Sequence, residues 1–375
     1  MVPILLLFGL IYAGFGVFSP YLPPLLASRG LDPQTIGLAL AAGTLVKLAI
    51  TPLLARHADR RKRVVLTLAL ALLASGVAVA SYAFPVGGAA LVALTLIQAA
   101  VLAPAAPFAD AVAVSAAARG NFAYGFARGT GSAAFVAGTL ASGALVAAYG
   151  WTAAAFGQAL FLLAAGLLAF RAPEPTAAVA APSTDTWRDL LAIRPFRQIM
   201  IIAALVLGSH ALHDAFAVIA WTNAGVSPRT ISLLWSEGVV AEIVVFFALG
   251  PWLFARLGAR GALAVSLVAA LLRWTAMALT TAPEIMALTE PLHGFTFALL
   301  HLGCMGIIAR NVPADLAASA QALYGAVAVG AASAALTAAS GAIFARYGTG
   351  GFAFMAALCL LAAPFVWTLR EKPAA

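Results

Sequence analysis

Long apolar segments, separated only by short polar turns, most restrict the fold of this 375-residue sequence. Hydrophobic residues make up 63% of the chain and charged residues 9%, which leaves too few polar side chains to cover a water-soluble globule. A helix needs about 20 mainly apolar residues to cross a bilayer, and roughly twelve such segments fit the sequence. We place them near residues 3–27, 34–55, 64–83, 88–115, 122–149, 150–171, 197–224, 229–257, 261–281, 283–310, 315–347 and 348–371.

An internal repeat divides these segments into two sets. The segment Gly30–Lys47 is similar to Gly225–Glu242, and the matched positions include Gly30, Pro33 and Gly43 in the first copy and Gly225, Pro228 and Gly238 in the second. Parallel repeats are typical of membrane transporters whose halves move about a central site. The predicted fold is therefore an all-α membrane protein with two parallel six-helix repeats. The predicted domains are an N-terminal bundle, 1–171, a cytoplasmic linker with a possible interfacial helix, 172–196, and a C-terminal bundle, 197–375.

The positive charges lie mainly on one predicted side of the membrane, so the net charge of +8 reports topology. The ends of even-numbered spans, the linker and the C-terminus carry 15 lysine or arginine residues, among them Arg56, Arg60, Arg61, Lys62, Arg63, Arg119, Arg171, Arg188, Arg194, Arg197, Arg256 and Arg260. The opposite side carries Arg29, Arg229 and Arg346. The positive-inside rule then predicts a multi-pass protein of a bacterial inner membrane with both termini cytoplasmic. Without aromatic residues between the basic ones, the sequence does not favour a nucleic-acid partner.

Other features of the sequence limit cofactors and assembly. The N-terminal span lacks a charged region before it and a convincing cleavage site, so we expect it to be retained. Cys304 and Cys359 both fall in predicted spans, which argues against a disulfide framework or a thiolate metal site. We expect no cofactor and no metal, and a monomer in the lipid bilayer.

The loop Arg56–Arg63, RHADRRKR, resembles the signature loop of the major facilitator superfamily. Asp59, Arg60 and Arg63 match that motif, which usually reads Gly-x-x-x-Asp-Arg-x-Gly-Arg-Arg, whereas Ala55 and Lys62 stand at its glycine positions. The corresponding loop of the second repeat, Phe254–Arg260, retains Arg256, Gly258 and Arg260. Together with the spans and the repeat, this loop identifies the chain as similar to that superfamily.

Several further stretches resemble the phenylpropionate permease branch, which is similar to the nucleoside and oligosaccharide proton symporters. These stretches are Tyr21–Pro24, Arg29–Gly37, Tyr124–Gly138, Gly208–His210, Leu234–Glu242, Leu272–Trp274 and Leu292–Leu302. The resemblance implies proton-coupled uptake of a small organic solute, such as an aromatic acid, a nucleoside or a sugar. His213-Asp214, Glu237 and Glu290 depart from the expected pattern.

Ionisable residues inside the spans are candidates for function, because each costs at least about 2.5–3.5 kcal/mol at mid-bilayer. Counting from the cytoplasmic end of each span, at about 1.5 Å per residue, separates two layers. The shallower layer, roughly 8–14 Å deep, contains Lys47, Asp110, Arg128 and His301. The layer near mid-depth contains His210, His213, Asp214, Glu242, Arg273 and His293.

Asp110 and Arg128 fall at matching depth on successive spans, which predicts an ion pair. Two interpretations remain open: a static pin between helices, or a substrate site in which the planar guanidinium of Arg128 binds an anion. We expect removal of either residue alone to leave a buried, uncompensated charge and to cost about 3–5 kcal/mol, and removal of both to hurt folding less.

Glu242 and Arg273 form the second pair at matching depth. We expect Glu242 to carry the coupled proton, with Asp214 as the second candidate, although a purely structural pair is also open. His210, His213 and His293 suit a proton relay or hydrogen bonding to the solute, against the alternative of structural helix–helix hydrogen bonds. With Arg128 and Asp110, we include Tyr12, Trp235, Arg273 and His301 among the candidate substrate residues.

The sequence also bears on three alternative functions. Proton-coupled efflux would use the same residues, since the carboxylates alone do not set direction. A membrane-embedded haem or metal enzyme is disfavoured because HExxH, paired haem histidines and a nucleophile elbow are missing from the sequence. A receptor or scaffold would not need so many buried charges.

Overall fold

A computed structural model gives the fold and describes residues 1–120, 122–175 and 187–370. Ten of its helices are long and apolar enough to cross a membrane, and two of these, Pro228–Leu279 and Ala314–Trp367, have 52 and 54 residues. Each of the two contains a turn at a glycine, Gly258 and Gly348, that separates two spans. The described residues therefore contain the predicted twelve spans.

We label the spanning helices α1 to α12 in chain order. Their bounds are α1 Val2–Ser28, α2 Pro33–Arg61, α3 Val64–Ala83, α4 Gly88–Ala118, α5 Tyr124–Tyr149, α6 Trp151–Ala169, α7 Arg194–Asn223, α8 228–257, α9 259–279, α10 Pro283–Asn311, α11 314–347 and α12 Phe352–Trp367.

Several spanning helices are interrupted near polar residues. In α7, a single 3₁₀ turn, Gly208–His210, separates two α-helical halves. In α10, the first helical segment ends at Thr289, and Glu290 caps it immediately before Pro291, whose ring cannot continue the preceding hydrogen-bond ladder. Interrupted helices in membrane transporters occur where the backbone lines a site rather than lipid.

Three helices of the C-terminal half also contain a π-helical segment: Val245–Leu249 in α8, Phe295–Leu299 in α10 and Tyr324–Ala331 in α11. Each such segment widens the helix and shifts the side chains that follow it. Single π turns inside α-helices are frequent at functional sites.

The contacts divide the chain into two compact units. The first unit comprises Met1–Asp32, Ala42–Ala180 and Gly225–Leu233, and the second comprises Pro33–Ala41, Ala181–Ala224 and Leu234–Ala375. The beginnings of α2 and α8, which carry the repeated sequence, thus each group with the opposite half of the chain.

The backbone repeats with the sequence. Left-handed turns occur at the matched positions Gly30 and Gly225, with φ of 87° and 82°, and at Gly150 and Gly348, with φ of 79° and 55°. A third pair is Lys62, with φ of 51°, and Gly258, with φ of 68°. Lys62 stands where the signature loop usually has glycine, so the left-handed turn explains that preference: a side chain there is strained.

Close helix contacts at glycines also repeat. In the first unit, a Cβ on Gly143 of α5 would collide with Ser232 and with the carbonyl of Pro228 at the start of α8. In the second unit, a Cβ on Gly341 of α11 would collide with the backbone of Pro33 and Gln34 at the start of α2. Small residues let membrane helices approach closely.

Within the first unit, α1 packs against α5 and α6, and α3 packs against α6. Its apolar core includes Leu7, Phe8, Leu68 and Phe108. The second unit packs α9 against α10 and α12, and its largest fully buried side chains include Trp221, Trp274, Arg273, Phe216 and Phe352.

The predicted linker is described only in part, because residues 176–186 lie outside the described residues. Before this gap, both carboxylate oxygens of Glu174 accept hydrogen bonds from the backbone N–H groups of Val64 and Val65, at 3.0 and 3.1 Å. Glu174 therefore caps the N-terminus of α3, where the helix dipole favours an anion. After the gap, a short helix, Trp187–Ala192, covers part of the segment for which an interfacial helix was predicted.

Candidate functional site

A polar cluster in the first unit joins α1, α4 and α5. Arg128 lies 3.6 Å from Asp110, as the sequence predicts, and it donates a 2.6 Å hydrogen bond to the hydroxyl of Tyr12. Tyr124 in turn donates a 2.8 Å hydrogen bond to the same Asp110 oxygen. Two tyrosine hydroxyls thus hold the ion pair from opposite ends.

This ion pair is not buried. The side chains of Arg128 and Asp110 are 42% and 32% exposed, so the expectation that a single removal leaves a desolvated charge was wrong. An accessible guanidinium with donors left over is suited to binding an acceptor group of a solute.

The second unit contains a buried ionic core in which Arg273 of α9 is paired with Glu290 of α10. The Nη2 atom of Arg273 donates to Oε2 of Glu290 at 2.7 Å, and the two side chains are 0% and 1% exposed. The predicted pairing of Arg273 with Glu242 was therefore wrong. Glu290 occupies the break before Pro291, which brings its carboxylate to Arg273.

Sequence reasoning misses Glu290 because this residue lies near the outer end of its span, where it stands out only as a departure from the family pattern. Two signals were available. Glu290 precedes His293 by three residues, so the two share a helix face, and a glutamate directly before Pro291 marks a helix interruption inside a span.

His213 and Asp214 extend the core towards solvent-accessible surface. The Nε2 atom of His213 accepts a 3.1 Å hydrogen bond from Arg273, so a neutral His213 carries its proton on Nδ1, which lies 3.1 Å from Asp214. The same Nε2 atom is 3.4 Å from Oε1 of Glu290. The side chain of His213 is 5% exposed and that of Asp214 is 62% exposed.

His293 extends the core in a second direction. Its Nδ1 atom accepts a 3.1 Å hydrogen bond from Nη1 of Arg273, and its Nε2 atom lies 3.4 Å from Glu242, which is 32% exposed. Arg273 thus stands between two imidazoles, and each imidazole connects it to a partly accessible carboxylate.

His210 is a buried neighbour of this chain of groups. Its Nδ1 atom donates to the backbone carbonyls of Val206 and Leu207, and its Nε2 atom accepts a 2.9 Å hydrogen bond from Thr296. The His210 and His293 rings contact edge to face, with centroids 5.3 Å apart. The 3₁₀ turn in α7 therefore positions His210 through backbone hydrogen bonds.

One oxygen of Glu290 and one nitrogen of Arg273 are left without hydrogen bonds. The Oε1 atom of Glu290 and the Nε atom of Arg273 are both buried and have no hydrogen-bond partner among the described residues. A buried carboxylate oxygen with an unused lone pair is costly when ionised. It is also a place where a proton can be held, 3.4 Å from His213.

The remaining candidates are distributed over both units. Trp235 stacks on His213, with ring centroids 5.0 Å apart, and His301 packs its ring against Phe246 and Tyr324. Asp59, Arg60 and Arg63 lie at the turn after α2, where the carbonyl of Asp59 accepts a hydrogen bond from the N–H group of Lys62. The matched pairs Gly30/Gly225, Pro33/Pro228 and Gly43/Gly238 frame the starts of α2 and α8.

The fold and these two polar clusters define a membrane transporter, and comparison with known proteins gives its family. Residues 4–356 match the family model described as MFS_1 like family. The chain belongs to this family of the major facilitator superfamily, and it is a multi-pass integral membrane protein and a transporter rather than an enzyme.

Two curated relatives are transporters of small solutes. The chain is 33% identical over 358 residues to the probable 3-phenylpropionic acid transporter of Escherichia coli (strain K12), covering 93% of this chain and 92% of that protein. It is 26% identical over 369 residues to the maltose permease of Geobacillus stearothermophilus, covering 98% and 93%.

Solved structures show the same fold at low identity. The nucleoside transporter NupG has a TM-score of 0.80 at 15% identity, with 98% of this chain and 97% of that chain covered. A bacterial homologue of the human lysosomal transporter Spinster, in an inward-facing and occupied conformation, has a TM-score of 0.76 at 14% identity, with 100% and 98% covered.

Proposed function

We propose that this protein is a proton-coupled symporter of a small organic solute that works by alternating access as a monomer in a bacterial inner membrane. The solute is an aromatic acid such as phenylpropionate, or else a nucleoside or sugar. The name of the Escherichia coli relative favours the aromatic acid, and that of the Geobacillus relative keeps the sugar open.

The observation that carries this proposal is a connected series of ionisable groups in the second unit. It runs from Glu242 through His293 to Arg273, and from Arg273 through Glu290 and His213 to Asp214. Both ends are partly accessible carboxylates and the middle is buried. Histidine exchanges protons readily near neutral pH, so each imidazole can relay a proton between a terminal carboxylate and the core.

Proton binding would change the electrostatics of the core. When Glu290 or Glu242 takes up a proton, one negative charge next to Arg273 and its two imidazoles disappears. The guanidinium then has less counter-charge, and its hydrogen bonds to His213 and His293 must compensate. A core whose arrangement depends on its proton content can favour one conformation of the transporter when loaded and another when empty.

The cluster of the first unit is the proposed solute site. Arg128 offers an accessible planar guanidinium, Asp110 an acceptor and Tyr12 an aromatic face, a set able to bind a polar solute that carries a ring.

Three variants in proteoliposomes test the coupling. We expect Glu242→Gln to abolish accumulation driven by a pH gradient while solute counterflow continues, because a neutral side chain imitates the loaded carrier and releases no proton. Asp214→Asn and Glu290→Gln are measured in parallel to locate the essential carboxylate. If all three variants accumulate solute as the wild type does, the transporter is not proton-coupled through this series.

The same vesicles distinguish uptake from efflux. An inward pH gradient should drive solute to the side to which protons flow. Accumulation on the opposite side would identify a proton-coupled efflux carrier instead.

A further inference from the structure

Lys47 lies at the midpoint of α2, and no described residue compensates the charge of its ammonium group. Its side chain is exposed, and no hydrogen bond or ion pair to its ammonium group occurs among the described residues. The hydroxyl of Thr51 donates to the backbone carbonyl of Lys47 and not to its side chain. An unpaired ammonium at this position in a membrane helix is costly and marks a functional site.

The angular position of Lys47 on α2 shows which neighbouring helix its side chain is near. At about 100° per residue, Lys47 points roughly 160° away from Leu45 and from Ala49, which are both exposed. One turn before Lys47, Gly43 lies close to Ala99 of α4, and one turn after it the Thr51 hydroxyl approaches the Ala103 carbonyl at 3.4 Å. Lys47 therefore lies on the face of α2 that approaches α4, roughly opposite to the exposed Leu45 and Ala49.

The charges inside the first unit do not balance around this lysine. Among the described residues in the middle of the spans of this unit, the acidic one is Asp110. It already forms an ion pair with Arg128 and accepts a hydrogen bond from Tyr124. The matched position of the second repeat holds Glu242, which does have a partner in His293. The two repeats thus present a lone cation in one half and a paired anion in the other.

We infer that Lys47 binds the carboxylate of the transported solute, and that the solute is therefore an organic monocarboxylate anion. This inference rests on the proposed function, because it names the substrate class of the same transporter. A lysine ammonium offers three donors on a flexible stem, so it can follow a carboxylate without a fixed geometry. The solute then supplies the counter-charge that the protein lacks.

The first experiment compares an acid with its neutral analogue. Counterflow of labelled 3-phenylpropionate is measured in proteoliposomes without a pH gradient, with unlabelled 3-phenylpropionate or 3-phenylpropanamide as competitor. The wild type should prefer the acid, and Lys47→Met should reduce that preference by about 10- to 100-fold, as expected for loss of a charge-assisted hydrogen bond. Lys47→Arg should retain most of it.

Lys62→Met is the matched control. This variant removes the same charge from the cytoplasmic turn that follows the same helix. Position 62 already carries a long side chain at its left-handed φ, so methionine adds no new backbone requirement. We expect its preference for the acid to equal that of the wild type. An equal loss in both variants would show a general surface-charge effect and overturn the inference.

A measurement on the wild-type protein covers the case in which Lys47→Met does not fold. Lysine residues are acetylated with a small amine-reactive ester, with and without 3-phenylpropionate, and the modified sites are counted by mass spectrometry. The acid should protect Lys47 several-fold and leave Lys62 unchanged, and 3-phenylpropanamide should protect neither. Equal acetylation of Lys47 with and without the acid would overturn the inference.

The outcomes also separate this inference from the proposed coupling. Counterflow and protection need no proton gradient, so they can succeed in a protein that fails to accumulate solute against a gradient. A wild type that accumulates sugars or nucleosides on a pH gradient and ignores carboxylates would leave the coupling intact and overturn the role of Lys47.

Discussion

Only a few neighbouring atoms compensate the buried positive charge of Arg273. Its guanidinium is fully buried, it meets one carboxylate, and its other two hydrogen-bonded neighbours are imidazoles that accept from it. Each imidazole accepts from the guanidinium through one ring nitrogen, so neither of these two nitrogens carries a proton in this arrangement. Glu290 therefore supplies the negative charge that compensates Arg273.

Removing Glu290 alone should destabilise the protein strongly. We expect Glu290→Gln to cost about 3–5 kcal/mol, because it leaves Arg273 charged and desolvated. The double variant Glu290→Met/Arg273→Met should recover part of that loss by removing both charges. Thermal unfolding of the detergent-solubilised variants measures this, and strictly additive losses would show that the two groups do not act as a pair.

The Asp110–Arg128 pair should behave differently. Because both side chains are about a third or more exposed, we expect Asp110→Asn or Arg128→Gln to lower stability by only about 1 kcal/mol or less. Their effect should appear in solute affinity instead. Counterflow and unfolding of the same variants check this, and a stability loss as large as that of Glu290→Gln would identify the pair as a structural pin.

At this scale, the sequence predicts which residues are ionisable inside spans but only some of their partners. Asp110 and Arg128 lie on regular, consecutive helices, so equal depth was enough to pair them. Equal depth paired Arg273 with Glu242, whereas its partner is Glu290, at the interruption of α10. The interruption at Glu290-Pro291 shifts the carboxylate, and no count along a regular helix reproduces that shift.

At the scale of whole helices, some irregularities have a signal in the sequence and others do not. The interruption of α10 at Pro291 has a signal in the sequence, because proline lacks a backbone donor. The π-helical segments in α8, α10 and α11 have no comparable signal in the sequence, since they depend on how neighbouring helices pack. The close contacts of Gly143 and Gly341 with the starts of α8 and α2 also depend on how neighbouring helices pack.

Those glycine contacts lead to a prediction about packing. We expect Gly143→Ala and Gly341→Ala to lower the unfolding temperature, because a Cβ at either position would collide with backbone atoms of the neighbouring helix. Gly129→Ala and Gly325→Ala, on the same helices, place a Cβ where no heavy atom lies within 4 Å. These controls should be neutral or stabilising, since alanine is favoured over glycine in a helix by about 1 kcal/mol.

Thermal unfolding of the four alanine variants decides the matter. Equal behaviour of the two pairs would mean that α5 and α11 do not rely on small residues at these contacts.

On the scale of the whole molecule, duplication accounts for most of the architecture. Matched left-handed turns at Gly30 and Gly225, and at Lys62 and Gly258, show that one backbone plan is used twice. The polar side chains placed on that plan differ between copies, as Lys47 and Glu242 illustrate. Repeat arguments therefore predict the path of the chain better than they predict the chemistry of each half.

The orientation of the chain in the membrane is a prediction that follows from charge. Basic residues concentrate after α2, around the linker and between α8 and α9, and the positive-inside rule places these segments in the cytoplasm. Single cysteines at Val86, in the exposed turn between α3 and α4, and at Ser183, in the linker, report the two sides. Both variants are made in a background in which the buried Cys304 and Cys359 are replaced by alanine.

In intact cells, a membrane-impermeant maleimide should label Val86→Cys and leave Ser183→Cys unlabelled until the membrane is permeabilised. The physical reason is that the linker carries arginines whose transfer across the membrane is unfavourable. Labelling in the reverse order would place both termini outside and invert the direction in which a proton gradient drives the solute. Labelling of both sites in intact cells would indicate that the spans between them do not cross as the fold requires.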